Sequence, residues 1–283
     1  MANLFGRTAR LQISSTVPAI GASVTNWIEV TGLRMSFTVK RTLKPDANSA
    51  SVEVFNLSAT SRAGIKRKGV RVILEAGYAD VGLETVIQGD CRLASHEQSG
   101  TEWVTRFELL DGGRVLRYGR ASTSYAPGTP LSKAVGDLAG KLGLSGGQLA
   151  KQLPALSAKT INGIVAHGSV PETLDKLLKP QGYSWSIQDG KLQVLKGDSD
   201  HTELIPLIST DSGRTGSPKL LTPDKNEGRS LLSFTSLLNA RIRPGCLVSV
   251  QSKQFSGQFR VETVTHKGDT HGTDWTSEVE AIL

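Results

Sequence analysis

The stretch from Leu231 to Leu283 limits the fold of this chain more than any other, because its apolar residues alternate with polar ones between turn signals. Ser233 to Asn239 reads as a strand, Ile242-Arg243-Pro244-Gly245 as a turn, and Leu247 to Val250 as a second strand. Ser256-Gly257 stands where a hairpin connector belongs, ahead of a period-2 run through Val264. The polar run His266 to Thr270 then leads to a final strand, Trp275 to Ile282. Period-2 alternation buries one face of each strand, so this stretch predicts one antiparallel β unit over 231–283.

A second β-rich unit is expected over 1–120. Leu33, Met35, Phe37 and Val39 alternate without a fault against Arg34, Ser36, Thr38 and Lys40. Ser51 to Leu57 is another strand, and Ser58 can cap a short helix through Arg62 to Lys66. Val70 to Ala76 is a third strand. Thr85 to Ala94 and Trp103 to Leu110 form a pair joined near Glu97 to Gly100.

Between them, 121–196 changes to a helical period. Pro130 opens a helix whose apolar residues Leu131, Ala134, Val135, Leu138, Ala139 and Leu142 fall three and four apart, closed by Gly143. A short second helix is expected over 146–153. Ser169 and Pro171 start another, with Leu174, Leu177 and Leu178 on one face. Tyr183 to Ile187 and Lys191 to Leu195, joined through Asp189-Gly190, predict a hairpin. Polar, proline-containing 197–230 reads as a linker, with an exposed loop at Ser212 to Pro218. The expected fold class is therefore mainly β with a smaller α+β insert.

With 283 residues and only 21% charged, the chain is long enough for several packed units and too apolar for disorder. Its net charge of +7 suits nucleic acid, an anionic membrane or an acidic protein surface without choosing among them. Lys40-Arg41, Arg62 to Arg71 and Arg114 to Arg120 are small clusters, with no aromatic residues interleaved as a base-stacking platform requires. Cys91 and Cys246 sit far from any metal-ligand spacing and read as free thiols. The sequence shows neither a signal-peptide run nor the roughly eighteen apolar residues of a membrane-spanning helix. Assembly in the host bacterial cytoplasm is the expectation.

Catalytic patterns fare poorly. His266, Asp269, His271 and Asp274 crowd together, but in a predicted hairpin loop rather than on the several rigid segments zinc prefers. His96-Glu97 lacks the second histidine of a zinc-protease array, since Gly100 stands there. There is no Gly-x-Ser-x-Gly elbow, and glycine-rich 140–147 lacks a Gly-Lys-Ser/Thr ending. Glu172 and Asp175 lie near a helix start, where the dipole favours carboxylates. Trp27, Trp103, Trp185 and Trp275 fall on separate strands and read as packing. No enzyme, cofactor or metal is expected.

The motifs VEVFNLSATSRAGIK (53 to 66 with Val52 before them), VILEAGY and IQGD, together with the pattern of 231–283, resemble baseplate hub proteins of contractile-tailed bacteriophages. The resemblance covers the first and last units, and the middle only in layout. It implies two tail-tube-like β-barrel units with a middle α/β domain, three chains in a ring, and no catalysis. The implied role joins a six-fold tail tube to a three-fold central spike around a channel. Implied partners are the spike, a tube or tube-initiator protein, baseplate wedge proteins, and DNA or tape-measure protein passing through the lumen; the implied place is the tail baseplate of a virion. Small barrels gain by pairing faces and edges with neighbours. Leu33, Met35, Phe37, Val39, Val52, Val54 and Leu57 are accordingly expected at the boundary between subunits. Inserts like 121–196 also look like LysM cell-wall-binding modules, so peptidoglycan binding is the alternative reading.

Overall fold

The computed structural model describes residues 6–15, 26–65, 68–144, 156, 159–196, 206–221 and 230–283. Its first unit holds β1 (Arg7–Ser14), β2 (Trp27–Val30), β3 (Met35–Thr42), β4 (Asn48–Phe55), α1 (Ala59–Gly64), β5 (Arg71–Tyr78), β6 (Gly82–Ser99) and β7 (Glu102–Asp111). Ser58 does cap α1, its hydroxyl accepting from the Ser61 N–H at 3.1 Å. The 18-residue β6 pairs with β5 through Asp90 and with β7 from there onward, so one strand turns the corner of the sheet. A bulge between Cys91 and Leu93 marks the bend.

The insert begins with α2 (Gly113–Tyr118). Next come β8 (Arg120–Pro130), α3 (Leu131–Lys141), β9 (Thr160–Ser169) and α4 (Val170–Leu178). The hairpin β10 (Tyr183–Gln188) and β11 (Lys191–Lys196) ends it. Asp189 and Gly190 both take positive φ, 53° and 71°, the two-residue turn that Asp-Gly predicts. The β8–β9 ribbon was not expected, and its pairing is irregular between Pro127 and Pro130, the residue read as opening the helix. The helix expected over 146–153 lies outside the described residues.

The last unit contains β12 (Leu207–Ile208), β13 (Arg214–Leu221), β14 (Leu231–Leu237), β15 (Leu247–Gln251), β16 (Ser256–Asp269) and β17 (Trp275–Ile282). Two expectations need correction. Part of the segment read as a linker supplies strands: β13 pairs with β14, and β12 runs parallel to β15. Ser256-Gly257 belongs to β16, opposite Gln251 and Val250; the connector is the four-residue turn before it, where the Ser252 hydroxyl accepts from the Phe255 N–H at 2.9 Å.

The two β units form one sheet. Its path runs β13-β14-β17-β16-β3-β4-β7-β6-β5-β1-β2, with β15 and β12 branching from β16. The seam is the antiparallel pair β3–β16, from Thr42 opposite Thr263 to Ser36 opposite Asp269. Three apolar clusters lie behind this layout. One fills the first unit and takes in Leu238, Ala240 and Trp275 from the last. A second belongs to the insert, and a third to the last unit. Trp275 is 1% exposed and meets Phe37 edge-on at 5.7 Å and Tyr78 at 6.4 Å. At Gly268 a Cβ would overlap the Phe37 ring, so only glycine lets the seam close.

Candidate functional site

Along β3 the buried positions are Met35, Phe37, Val39 and then Arg41, so the apolar face ends in a guanidinium with no exposed surface. The same step of two carries β4 onto Asn48, β7 onto Asp111 and β16 onto His266, all essentially buried. Neighbouring registers bring these ends together where the insert meets the barrels.

Arg41 Nη2 donates to Asp189 Oδ2 at 2.8 Å and to Gln188 Oε1 at 3.1 Å, and Nη1 donates to the Val86 carbonyl at 3.0 Å. Asp111 Oδ2 accepts from the Asp189 N–H at 2.6 Å and from Asn48 Nδ2 at 3.1 Å, while Oδ1 accepts from the Gly190 N–H at 2.8 Å. Gln188 Nε2 donates to the Thr42 carbonyl at 2.8 Å. Two strands of the first unit and the end of a third thus grip one hairpin turn of the insert. Burial, with the Asp189 carboxylate close by, pushes the Asp111 carboxyl up to about 7. Burial beside the Arg41 and Arg243 guanidiniums pulls His266 down to about 3, so its ring is neutral; Nδ1 lies 2.8 Å from Ser277 Oγ.

This arrangement is mechanical. It satisfies buried polar groups and fixes one unit against another, and it presents no nucleophile or open carboxylate pair. The other candidates do not converge. Asp269 accepts from the N–H groups of His271 and Gly272 and is held by Arg34 at 2.9 Å, which keeps its carboxyl below the usual range. His266, expected in a hairpin loop, is instead a buried residue of β16, opposite Val39 and Ser277. Among the described residues no group of three or more His, Cys, Asp or Glu could hold a metal ion. Asp175 accepts from Trp185 Nε1 at 2.8 Å and pairs with Lys179 at 2.7 Å. Cys91 is buried and Cys246 half-buried.

The residues expected at a subunit boundary are placed elsewhere. Met35, Phe37, Val39, Val52, Val54 and Leu57 are core residues of the first unit, and Leu33 packs against that core. Both edges of β3 are also occupied, by β4 and β16. The alternation was read correctly, but the face it buries is covered by the chain's own strands.

The opposite face is the accessible one. Ser36 and Thr38 on β3, Ser51 on β4, Thr263 and Thr265 on β16 and Thr276 on β17 lie at least partly open to solvent. Their registers run continuously across the seam. Several charges on this face are paired across strands, Lys267 with Glu278 at 2.6 Å, Arg106 with Glu53 at 2.8 Å and Arg92 with Glu108 at 2.9 Å, while Lys40 stands exposed between Ser49 and Thr265. Interface cores favour aromatic residues and are poor in serine, and DNA-gripping faces present uncompensated cations. A hydroxyl-rich face whose charges are mostly paired offers little to either kind of tight contact.

No protein-family model matches this sequence, and no curated protein matches it. Solved structures do share its fold over its whole length. The tail protein from Neisseria meningitidis MC58 aligns with a TM-score of 0.67 at 10% identity, covering 99% of this chain and 97% of that one. The 43 kDa tail protein of prophage MuSo2 from Shewanella oneidensis gives 0.63 at 12% identity, with 98% of each chain covered. An Escherichia coli component of the type VI secretion system, itself structurally similar to T4 bacteriophage tail proteins gp27 and gp5, gives 0.62 at 12% identity over 88% of this chain and 73% of its own. The chain therefore has the mainly β fold of phage tail proteins.

Proposed function

We propose that this chain is a structural subunit of a phage-type tail, acting in the baseplate hub. In this reading three copies surround one axis, and their six β units meet a six-fold tail tube on one side and a three-fold spike on the other. The observation that carries the proposal is the β3–β16 seam within a fold shared end to end with tail proteins. It joins two β units into a single body, which is what a subunit needs if it is to present two quasi-equivalent faces to a ring. The hydroxyl face offers a channel wall that passing DNA or tape-measure protein would not stick to. The subunit belongs to the virion in this reading, and its work is geometric rather than chemical.

Light scattering on the purified chain, alone and after co-expression with the neighbouring spike and tube genes, tests the proposal. A trimer, or a monomer that becomes one with the spike, is the expected result. A monomer indifferent to both partners overturns it, and retention of that monomer on peptidoglycan would point to a wall-binding role instead.

A further inference from the structure

The chain's positive charge is gathered in one unit. Of its 33 lysines and arginines eleven fall in residues 113–196, with only four of its 26 acids, so the insert carries an excess of seven. That equals the net charge of the whole chain, +7, and leaves the remainder balanced at twenty-two against twenty-two. Apolar exposure is concentrated in the same unit. Val165, 76% exposed, and Tyr118, 62% exposed, are the most open large apolar side chains among the described residues.

The β8–β9 ribbon brings the two features together. Arg120 stands opposite Ser169, Ser122 opposite His167 and Ser124 opposite Val165. Alternation sends Ala121, Tyr125 and Ala166 into the insert's core and turns Arg120, Ser122, Ser124, Val165 and His167 out to solvent. Arg117 and Tyr118, both exposed, end α2 just ahead of this face. Arg120 Nη1 donates to the carbonyls of Arg117 and Gly119, both at 3.1 Å, which ties its guanidinium back to the turn that carries Tyr118. Among the described residues neither Arg117 nor Arg120 is paired with a carboxylate. Tyr118 thus stands at one end of the outer face and Val165 toward the other, with uncompensated cations and hydroxyls between.

We propose that the outer face of the β8–β9 ribbon is the docking surface for a partner protein whose own surface is acidic, with Asp or Glu meeting Arg117 and Arg120 around apolar sockets for Tyr118 and Val165. Tyrosine and arginine are the residues that carry binding energy at protein interfaces. Charge complementarity brings the partner in, and the apolar side chains hold it. A phosphodiester backbone would gain nothing from Val165, and a single aromatic ring is no stacking platform. A second copy of this chain fits poorly, because its insert is equally basic and the rest of it is balanced. The surface belongs to the single chain, whether or not three copies form a ring.

Fluorescence anisotropy on the full-length chain tests this with three labelled probes: a random copolymer of glutamate and tyrosine, polyglutamate of the same length, and single-stranded oligo(dT). The copolymer should bind more tightly than either of the others, and more weakly as salt is added. Arg120→Glu and Tyr118→Ala should each weaken its binding about tenfold, the effect of losing one interface anchor. Val165→Ser should give a smaller loss. Lys253→Glu makes the same charge change as Arg120→Glu on an exposed turn of the last unit and should leave binding unchanged. All four positions are exposed, so the variants should keep the wild-type circular dichroism and melting temperature. No binding of the copolymer overturns the proposal, as does copolymer binding no tighter than that of polyglutamate or unaffected by Tyr118→Ala. Equal losses with Arg120→Glu and Lys253→Glu overturn it in favour of overall charge, and tighter binding of oligo(dT) overturns it in favour of a nucleic-acid surface.

Discussion

Two joints hold this molecule together, and they are made of different materials. Between the barrels, β3 and β16 share a backbone ladder, and Trp275 reaches across to sit in the first unit's core. Between barrels and insert, side chains do the joining: Arg41, Asn48, Asp111, Gln188 and Asp189 around a two-residue turn. A ladder is indifferent to most side chains and to salt. A charge cluster depends on each member and on pH, so one joint should behave as a weld and the other as a clasp.

The largest effect should come from attacking the weld through the tryptophan that reaches across it. Trp275→Ala empties a site between Phe37 and Tyr78 and should cost about 3–5 kcal/mol in denaturant unfolding, with both barrels losing stability together. If only the last unit weakens, the seam does not couple them. At the clasp, Arg41→Met takes the Asp189 carboxylate's 2.8 Å guanidinium partner away beside the buried Asp111 and should cost about 3 kcal/mol. Adding Asp189→Asn should recover part of that, a coupling of about 1–3 kcal/mol in a double-mutant cycle; strict additivity would mean the pair is not functioning as one.

The pH dependences should run in opposite directions. The unfolded chain protonates His266 below about pH 6.5, whereas the folded chain does so only near 3. Its contribution is complete above pH 6.5 and is lost as the pH falls toward 3, which weakens the seam in acid. The Asp111 carboxyl is raised to about 7, so its contribution is complete below about pH 4, its unfolded value, and is lost as the pH rises to 7. Each pH unit inside either window is worth up to about tenfold in the local equilibrium. Site-resolved exchange at pH 4, 5.5 and 7 should show the two joints trading places as the weaker one. The smallest effect belongs to the hydroxyl face: Lys267→Ala removes an exposed pair with Glu278 and should change stability by less than about 1 kcal/mol.

Much of the weld and little of the clasp could be read in advance. Period-2 alternation marked the buried faces of β3, β4, β16 and β17, and Asp-Gly announced the hairpin turn. Pairing between strands more than two hundred residues apart leaves no local trace, so the apolar face of β3 was taken for a surface when the last unit's own strands complete it. The clasp did leave a trace. Arg41, Asn48, Asp111 and His266 all fall on the buried parity of their strands, where a polar residue demands a partner. Read as part of a basic pair with Lys40, Arg41 looked like solvated surface. Edge strand β13 was hidden for another reason: Gly213, Gly216 and Pro218 belong to loops as often as to bulged edges.

The weld has a consequence for how the molecule is made. Met35 hydrogen-bonds Thr270, 235 residues further along the chain, and the core around Phe37 stays open until Trp275 arrives. A nascent chain that has finished its first barrel on the ribosome still carries an unpaired strand edge beside a hole the size of an indole. Contacts this distant in sequence form slowly, and open edges invite neighbours in the meantime. Strand β3, made more than two hundred residues before its partner β16, is among the last to be sealed.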